Sequence, residues 1–283
     1  MITVDGRYGD WALIAGAAEG LGEGFCRLLA SRGFNIILVD KNLQAMNILA
    51  VELEQTFHIK TRQLNIDLAL AEAAGECMHE TALNDCRLLI YVAAFSKVSR
   101  FTDLNRDELH EFVSVNSSTL LYLVHDFSKR LIAGGKTGGI LLVSSLAGLI
   151  GPQYVAAYAA TKAFSIRLTE ALSGELKEHG IDITVCCSGT VSTPTYWKSK
   201  PLFDKLKPPV MQPDEVARYA LNKLGLKTMC IPGFKNRLQY FFLMNLIPRR
   251  LASKFVNEAM HKMYGTQIMD RNSDSVYRSS NGT

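Results

Sequence analysis

Short apolar runs alternate with amphipathic stretches along most of the chain, and this order constrains the fold more than any other feature. Strands are expected at 11–15, 35–39, 60–64, 88–92, 140–144, 182–187 and 228–231, most of them apolar runs, and helices fill 20–32, 42–57, 69–82, 106–133, 153–179 and 213–224. Strand and helix in strict alternation predict an α/β fold, with a parallel sheet covered by helices on both faces. Leu88-Leu89-Ile90-Tyr91-Val92 is almost wholly apolar, as a strand buried on both sides must be. The expected architecture is a single doubly wound sheet with a C-terminal helical extension. In such sheets the site lies outside the carboxyl ends of the strands. Asp40, Ala93, Ser145 and Ser188 all fall there.

The first strand runs straight into Gly16-Ala17-Ala18-Glu19-Gly20-Leu21-Gly22, and Phe25, Leu28 and Leu29 then recur at helical spacing up to Gly33. This is strand, glycine turn, helix. Glycines let the backbone turn sharply and approach a pyrophosphate, and the helix N-terminus offers free N–H groups to it. A glycine-rich turn alone is a weak signal. Here the second strand, 35–39, ends in Asp40, where a carboxylate accepts hydrogen bonds from ribose hydroxyls. The competing role for Asp40 is an N-cap for the next helix. Further on, Tyr158 and Lys162 stand four apart, on one helix face, with Ser145 thirteen residues before the tyrosine. An ammonium beside a phenol favours the phenolate and lowers a pKa ordinarily about 10. A tyrosine so tuned exchanges a proton near neutral pH, and a nearby serine hydroxyl bonds the oxygen that gains or loses it.

Taken together these motifs resemble the short-chain dehydrogenase/reductase family, over about Asp10 to Pro232 and in the family's order. Its glycine motif T-G-x-x-x-G-x-G appears as Ala15-Gly16-Ala17-Ala18-Glu19-Gly20-Leu21-Gly22, and its adenine-contacting aspartate as Asp67, followed by Leu68. Its helix asparagine matches Asn116, its S-x(12)-Y-x-x-x-K matches Ser145, Tyr158 and Lys162, and its P-G turn appears as Ser188-Gly189 with Thr193 beyond. The resemblance implies a Rossmann-like sheet and a hydride transfer between a nicotinamide and a carbonyl or secondary alcohol. It implies Asn116, Ser145, Tyr158 and Lys162 as the catalytic set, with Tyr158 moving the proton, Lys162 holding the ribose, Ser145 orienting the carbonyl oxygen and Asn116 holding a water. It assigns the cofactor to Gly16, Ala18, Glu19, Gly20, Leu21, Gly22, Asp40, Lys41, Asp67, Leu68, Ala93, Ala94, Gly189, Val191 and Thr193, with Tyr158 and Lys162. Substrate falls to Ser145, Leu146, Tyr154 and Tyr158. Three positions depart from the pattern. Ala15 stands for the opening threonine, Tyr91-Val92-Ala93-Ala94 for N-N-A-G, and Ser188 for the proline. The altered N-N-A-G leaves one alternative open, a catalytically silent dinucleotide-binding sensor or interaction protein; the intact tetrad favours the enzyme.

The cofactor is expected to be NAD, with NADP as the alternative. Asp40 and Glu19 would both oppose a 2′-phosphate of about −1.5 to −2 charges, while Lys41 argues the other way. Phe95, Leu146, Leu149, Ile150, Tyr154 and the aromatic tail suggest an apolar pocket, fit for a lipid, steroid-like or aromatic ketone or alcohol. The loop from Pro194 to Gln212 reads as an active-site lid.

A chain of 283 residues, 48% hydrophobic, suits one large domain, and a net charge of +4 calls for no nucleic-acid partner. Six scattered cysteines show no metal-ligand spacing and read as reduced thiols, so no metal is expected and the compartment is expected to be cytoplasmic. The domain reading is 1–232 for cofactor and catalysis, 233–270 for the helical extension, and 271–283 for a disordered polar tail. In the extension, 238–247 is apolar nearly all round, and Leu251, Phe255, Ala259 and Met263 recur at a spacing of four. Such a segment must pack against something. Packing on the domain or a partner copy is preferred to membrane contact. The resemblance implies pairing through the long helices near 106–133 and 153–179, as a homodimer or homotetramer.

Overall fold

Buried strands with residues of both parities apolar are what a sheet covered on both sides requires, and the computed structural model builds that sheet. It describes residues 6–202 and 208–280, with no side-chain description for 83, 267 and 269–280. The chain runs β1 (Trp11–Ala15), α1 (Gly20–Ala30), β2 (Asn35–Asp40), α2 (Leu43–Phe57), β3 (Thr61–Asn65), α3 (Ala73–Leu83) and β4 (Cys86–Tyr91). There follow α4 (Arg106–Val113), a π-helical turn at Ser114–Ser118, α5 (Thr119–Ala133), β5 (Gly138–Ser145), α6 (Ala147–Ile150), α7 (Ala156–Lys177) and β6 (Ile181–Ser188). The last part holds β7 (Thr190–Val191), α8 (Pro194–Lys198), β8 (Val210–Met211), α9 (Pro213–Leu221), β9 (Met229–Cys230), α10 (Phe234–Phe241), a second π turn (Phe242–Leu246) and α11 (Arg249–Ser280).

Seven strands lie in the order β3-β2-β1-β4-β5-β6-β9, every pairing parallel. The order reverses between β1 and β4, which opens the crevice where such folds bind ligands. Strand parity divides the core. Ala12, Ile14, Ile36 and Leu38 face α1, α2 and α9, while Leu13, Ala15, Ile37 and Val39 face α5 and α7. The neighbours Cys186 and Cys187 go to opposite cores, and all six cysteines are buried and free.

The structure departs from the sequence reading at several places. The helix expected over 106–133 is split by the π turn at Ser114–Ser118. The stretch from Pro194 is not wholly irregular: it opens with α8, and β8 pairs with β7, while 203–207 lie outside the described residues. Asn42, not Asp40, caps α2 by accepting from the Ala45 N–H at 3.1 Å. In α11 the spacing-of-four stripe is not the buried one: Leu251 and Phe255 are exposed, and Ala252, Tyr264 and Ile268 are buried. The bounds of α11 reach past Arg271, into the stretch expected to be disordered, and 281–283 lie outside the described residues.

Candidate active site

One cleft of about 820 Å³ runs along the carboxyl edge of the sheet and gathers most of the residues singled out from the sequence. It begins at the glycine turn. Gly16 has φ +84°, and a Cβ there would sit 2.6 Å from the Ala93 nitrogen. At Gly22 a Cβ would come 1.8 Å from the Gly16 carbonyl oxygen, so α1 can press against the turn only without one. No side chain caps the first turn of α1, whose N-cap is Glu19. Its N–H groups are therefore left for an anion. This slim turn and open helix end fit a dinucleotide. Gly16, Glu19, Gly20 and Leu21 line the cleft, whereas Ala18 and Gly22, also expected at the cofactor, are buried and do not line it.

Asp40 ends β2 at the lip of the cleft. Its carboxylate accepts from the Ala18 N–H at 3.1 Å and the Asn42 N–H at 3.0 Å, which ties the glycine turn to the second strand. Lys41 beside it is held by Glu111, Nζ to Oε1 3.2 Å. Glu111, from α4, also lines the cleft, and nothing local in the sequence pairs it with a lysine seventy residues away. Asp67 accepts from the Ala69 N–H at 3.0 Å and lines the cleft with Leu68, Ala93 and Ala94. Gly189, Val191 and Thr193 close the far side, and Thr193 caps α8 by accepting from the Tyr196 N–H at 3.3 Å.

Ser145, Tyr158 and Lys162 line the same cleft, delivered by the end of β5 and the first turns of α7. The Ser145 hydroxyl accepts from the Ala147 N–H at 3.2 Å. Lys162 is 4% exposed; its ammonium donates to the Val143 carbonyl at 2.9 Å and lies 5.6 Å from the centre of the Tyr158 ring. Burial pushes this lysine down to about 8. Burial also raises Tyr158, opposed by the Ser145 hydroxyl. The expected lowering of the phenol by Lys162 is thus not found: the ammonium spends its bond on a backbone carbonyl, and desolvation dominates.

Asn116 stands in the π turn, 2% exposed and behind the cleft wall. Its Oδ1 accepts from the Phe95 N–H at 2.7 Å, and its Nδ2 donates to the Phe95 carbonyl and the Thr161 hydroxyl, both at 3.0 Å. Asn116 therefore joins the loop after β4 to α7, one residue from Lys162. Tyr91, where the N-N-A-G pattern is lost, is 1% exposed and donates from its hydroxyl to the Val115 carbonyl at 2.6 Å. A π turn breaks the regular i→i+4 ladder, and this phenol binds one of its carbonyls.

Tyr154 does not line the cleft. Its φ is +67°, and its hydroxyl meets His261 Nδ1 of α11 at 2.8 Å. Leu149 and Ile150 also lie off the cleft, while Phe95 and Leu146 line it. The tail contributes Asn236 and Gln239 of α10, then Met260, Met263 and Tyr264 of α11, rather than the aromatics of 240–242. Docking of α11 is specific. Asn257 accepts from the Gln153 N–H at 2.9 Å, and its carbonyl accepts from Gln153 Nε2 at 2.6 Å. The Leu202 N–H donates to the Met263 carbonyl at 3.0 Å, and the Ser199 and Tyr264 hydroxyls meet at 3.1 Å. Sequence periodicity could not find Met260 or Tyr264, because tertiary docking alone brings α11 to the cleft mouth.

A doubly wound sheet with a glycine turn on one side of its crevice and a Ser–Tyr–Lys set on the other defines a nicotinamide-dependent oxidoreductase. The family model for short chain dehydrogenases matches residues 10–201. The chain belongs to the short-chain dehydrogenase/reductase family and is an NAD(P)-dependent enzyme of that type. It is similar to the 7beta-hydroxysteroid dehydrogenase of Collinsella aerofaciens, 30% identical over 234 residues, 82% of this chain and 89% of that one. It is also similar to the very-long-chain 3-oxoacyl-CoA reductase of Neurospora crassa, 33% identical over 228 residues, 79% of this chain and 67% of that one. A solved structure from work on 7beta-hydroxysteroid dehydrogenase stereoselectivity superposes with a TM-score of 0.82 at 27% identity, covering 90% of this chain and 99% of that one. Among the described residues no helix is long and apolar enough to cross a membrane, and no three His, Cys, Asp or Glu cluster as metal ligands.

Proposed function

We propose that this enzyme interconverts a ketone and a secondary alcohol on an apolar, steroid-like substrate, with Tyr158 moving the proton. When bound, the nicotinamide supplies or accepts the hydride. The uncapped start of α1 holds the pyrophosphate, Asp40 the adenosine ribose, and Asp67 and Leu68 the adenine side. Ala93, Ala94, Gly189, Val191 and Thr193 frame the nicotinamide half. The Tyr158 hydroxyl donates to the carbonyl oxygen in reduction and takes the proton back in oxidation. Its raised pKa keeps it protonated at neutral pH, the form that reduction needs. Ser145 orients the substrate oxygen, Lys162 holds the nicotinamide ribose, and Asn116 keeps α7 in register with the loop after β4.

The observation that carries the substrate class is the apolar wall. Phe95, Leu146 and Val155 on the sheet side share the cleft with Met260, Met263 and Tyr264 of α11. A wall of this kind suits a rigid polycyclic ketone, and relatives named for 7beta-hydroxysteroids support it. The test is a screen of hydroxysteroids, ketosteroids and 3-oxoacyl thioesters with both cofactors, read at the nicotinamide absorbance. Turnover confined to small polar ketones would overturn the class.

NAD is favoured over NADP. Asp40 and Glu19 both border the cleft, and Lys41, which would favour a phosphate, is paired with Glu111. Dissociation constants for NADH and NADPH in one buffer decide it, since salt screens phosphate contacts; tighter NADPH binding reverses the assignment. The six buried, free thiols support a reducing, cytoplasmic setting. Exposed Leu121 and Tyr122 on α5 and Phe164 on α7 support pairing of two copies, as dimer or tetramer, through those helices.

A further inference from the structure

The outward side of α10 and the π turn after it is apolar. Phe234, Leu238, Phe241, Phe242 and Leu246 recur at helical spacing and are 69%, 44%, 52%, 47% and 58% exposed. The inward side is occupied: Asn236 is buried, Gln239 lines the cleft and Tyr240 packs on the core. Beyond Pro248, Leu251 and Phe255 are exposed in the same way. Contiguous apolar surface of this kind is uncommon on a soluble protein unless something covers it. The charge around it has one sign. From Phe234 to Asn257 the chain carries Lys235, Arg237, Arg249, Arg250 and Lys254 and no aspartate or glutamate. Lys235, Arg249, Arg250 and Lys254 are exposed, and no ion pair holds them among the described residues.

Two occupants suit an apolar helix face, and the charges choose between them. In a two-fold contact the same patch meets itself, which would bring these cations against one another with no carboxylate from the segment to offset them. An anionic lipid surface pairs with the four exposed ones, Lys235, Arg249, Arg250 and Lys254, while Arg237 is half-buried and donates to the Ile231 carbonyl. Aromatic and aliphatic side chains on one side of a short helix, fringed by lysine and arginine, are what lies in the headgroup region of a bilayer without spanning it. We propose that the outward face of α10 and its π turn, with the start of α11, docks this enzyme on an anionic lipid surface. Because Asn236 and Gln239 border the cleft from the same helix, docking sets the catalytic cleft beside the lipid.

The experiment uses the full chain and sedimentation with vesicles of phosphatidylcholine alone or mixed with phosphatidylglycerol. Binding to the mixed vesicles is expected to be at least about tenfold tighter and to weaken as salt rises. The double variant Phe241→Ser/Phe242→Ser should lose vesicle binding while keeping NADH affinity and circular dichroism. If that variant does not fold, Arg249→Gln/Arg250→Gln, on an exposed helix start, should reduce binding to mixed vesicles about tenfold. Absence of wild-type binding to anionic vesicles overturns the proposal, as does binding that neither variant weakens. A change of oligomeric size in the variants, with vesicle binding intact, also overturns it and gives the face to a second copy.

Discussion

Tyr158→Phe keeps the ring and removes the hydroxyl, so it isolates the proton step. Turnover should fall by about 10²–10⁴ with NADH binding unchanged, measured by steady-state kinetics and fluorescence titration; turnover like wild type would remove Tyr158 from its role. Tyr91 is the residue on which the lost N-N-A-G pattern becomes intelligible. Its phenol supports the π turn that presents Asn116. Tyr91→Phe leaves the buried Val115 carbonyl without this donor, a loss of roughly 1–3 kcal/mol in urea unfolding, and kcat should drop more than KM rises. Lys162 gives a pH test. Its pKa is held down to about 8 in the fold from an ordinary 10.5, so the folded chain binds fewer protons than the unfolded one between those values. The cost of burying the ammonium is therefore full below about pH 8 and vanishes above the unfolded pKa. Lys162→Met should raise stability at pH 7, on the order of 2 kcal/mol after the lost bond to Val143 is deducted, and abolish turnover. The gain should shrink by pH 10.5 in denaturation curves; a gain independent of pH would contradict the buried-charge account.

Among the elements, α11 shows how a remote helix shapes a cleft. Two hydrogen bonds join Asn257 to Gln153, and the Tyr154 hydroxyl reaches His261, so the helix is anchored on the loop that leads into α7. Tyr154 holds a left-handed φ of +67° to make that contact, a conformation a non-glycine residue adopts at a cost of about 1–3 kcal/mol. Asn257→Ala removes the bond from the Gln153 N–H and loosens the placement of Met260 and Met263. We expect KM for bulky ketones to rise about tenfold, with little change for a small ketone, since each lost bond is worth about 1 kcal/mol and the wall acts on large substrates alone. Equal effects on large and small ketones would show that α11 does not bound the substrate.

At the scale of the molecule, the parallel sheet opens the catalytic crevice, and among the described residues the apolar surface outside it includes the α5–α7 side and the α10 side. The α5 and α7 side, with Tyr122 53% exposed, is the one proposed above to pair two copies; the α10 side carries the cations. Tyr122→Asp should halve the mass in sedimentation equilibrium if the pairing runs through α5, and an unchanged mass would place the contact elsewhere.

Local sequence determined the main strands and helices and the class of chemistry. Inner strands buried on both faces are apolar almost throughout, so β1 and β2 can be read directly, whereas the edge strand β3 carries exposed Arg62 and Gln63 and follows only from the alternation with helices; the glycine turn needs backbone that only glycine tolerates, and Tyr158 and Lys162 share a face because helices repeat every 3.6 residues. Tertiary structure decided everything that depends on two distant segments meeting. Lys41 meets Glu111, Tyr91 meets Val115, and Asn257 meets Gln153 across separations that no local period encodes. The tail shows the division most clearly. Its apolar period of four predicted a helix, and the helix is there, but the buried stripe falls on Ala252 and Tyr264 instead of Leu251 and Phe255. Periodicity states that a helix has a side to bury; which side is buried depends on the surface it finds, and that surface is assembled by the rest of the chain.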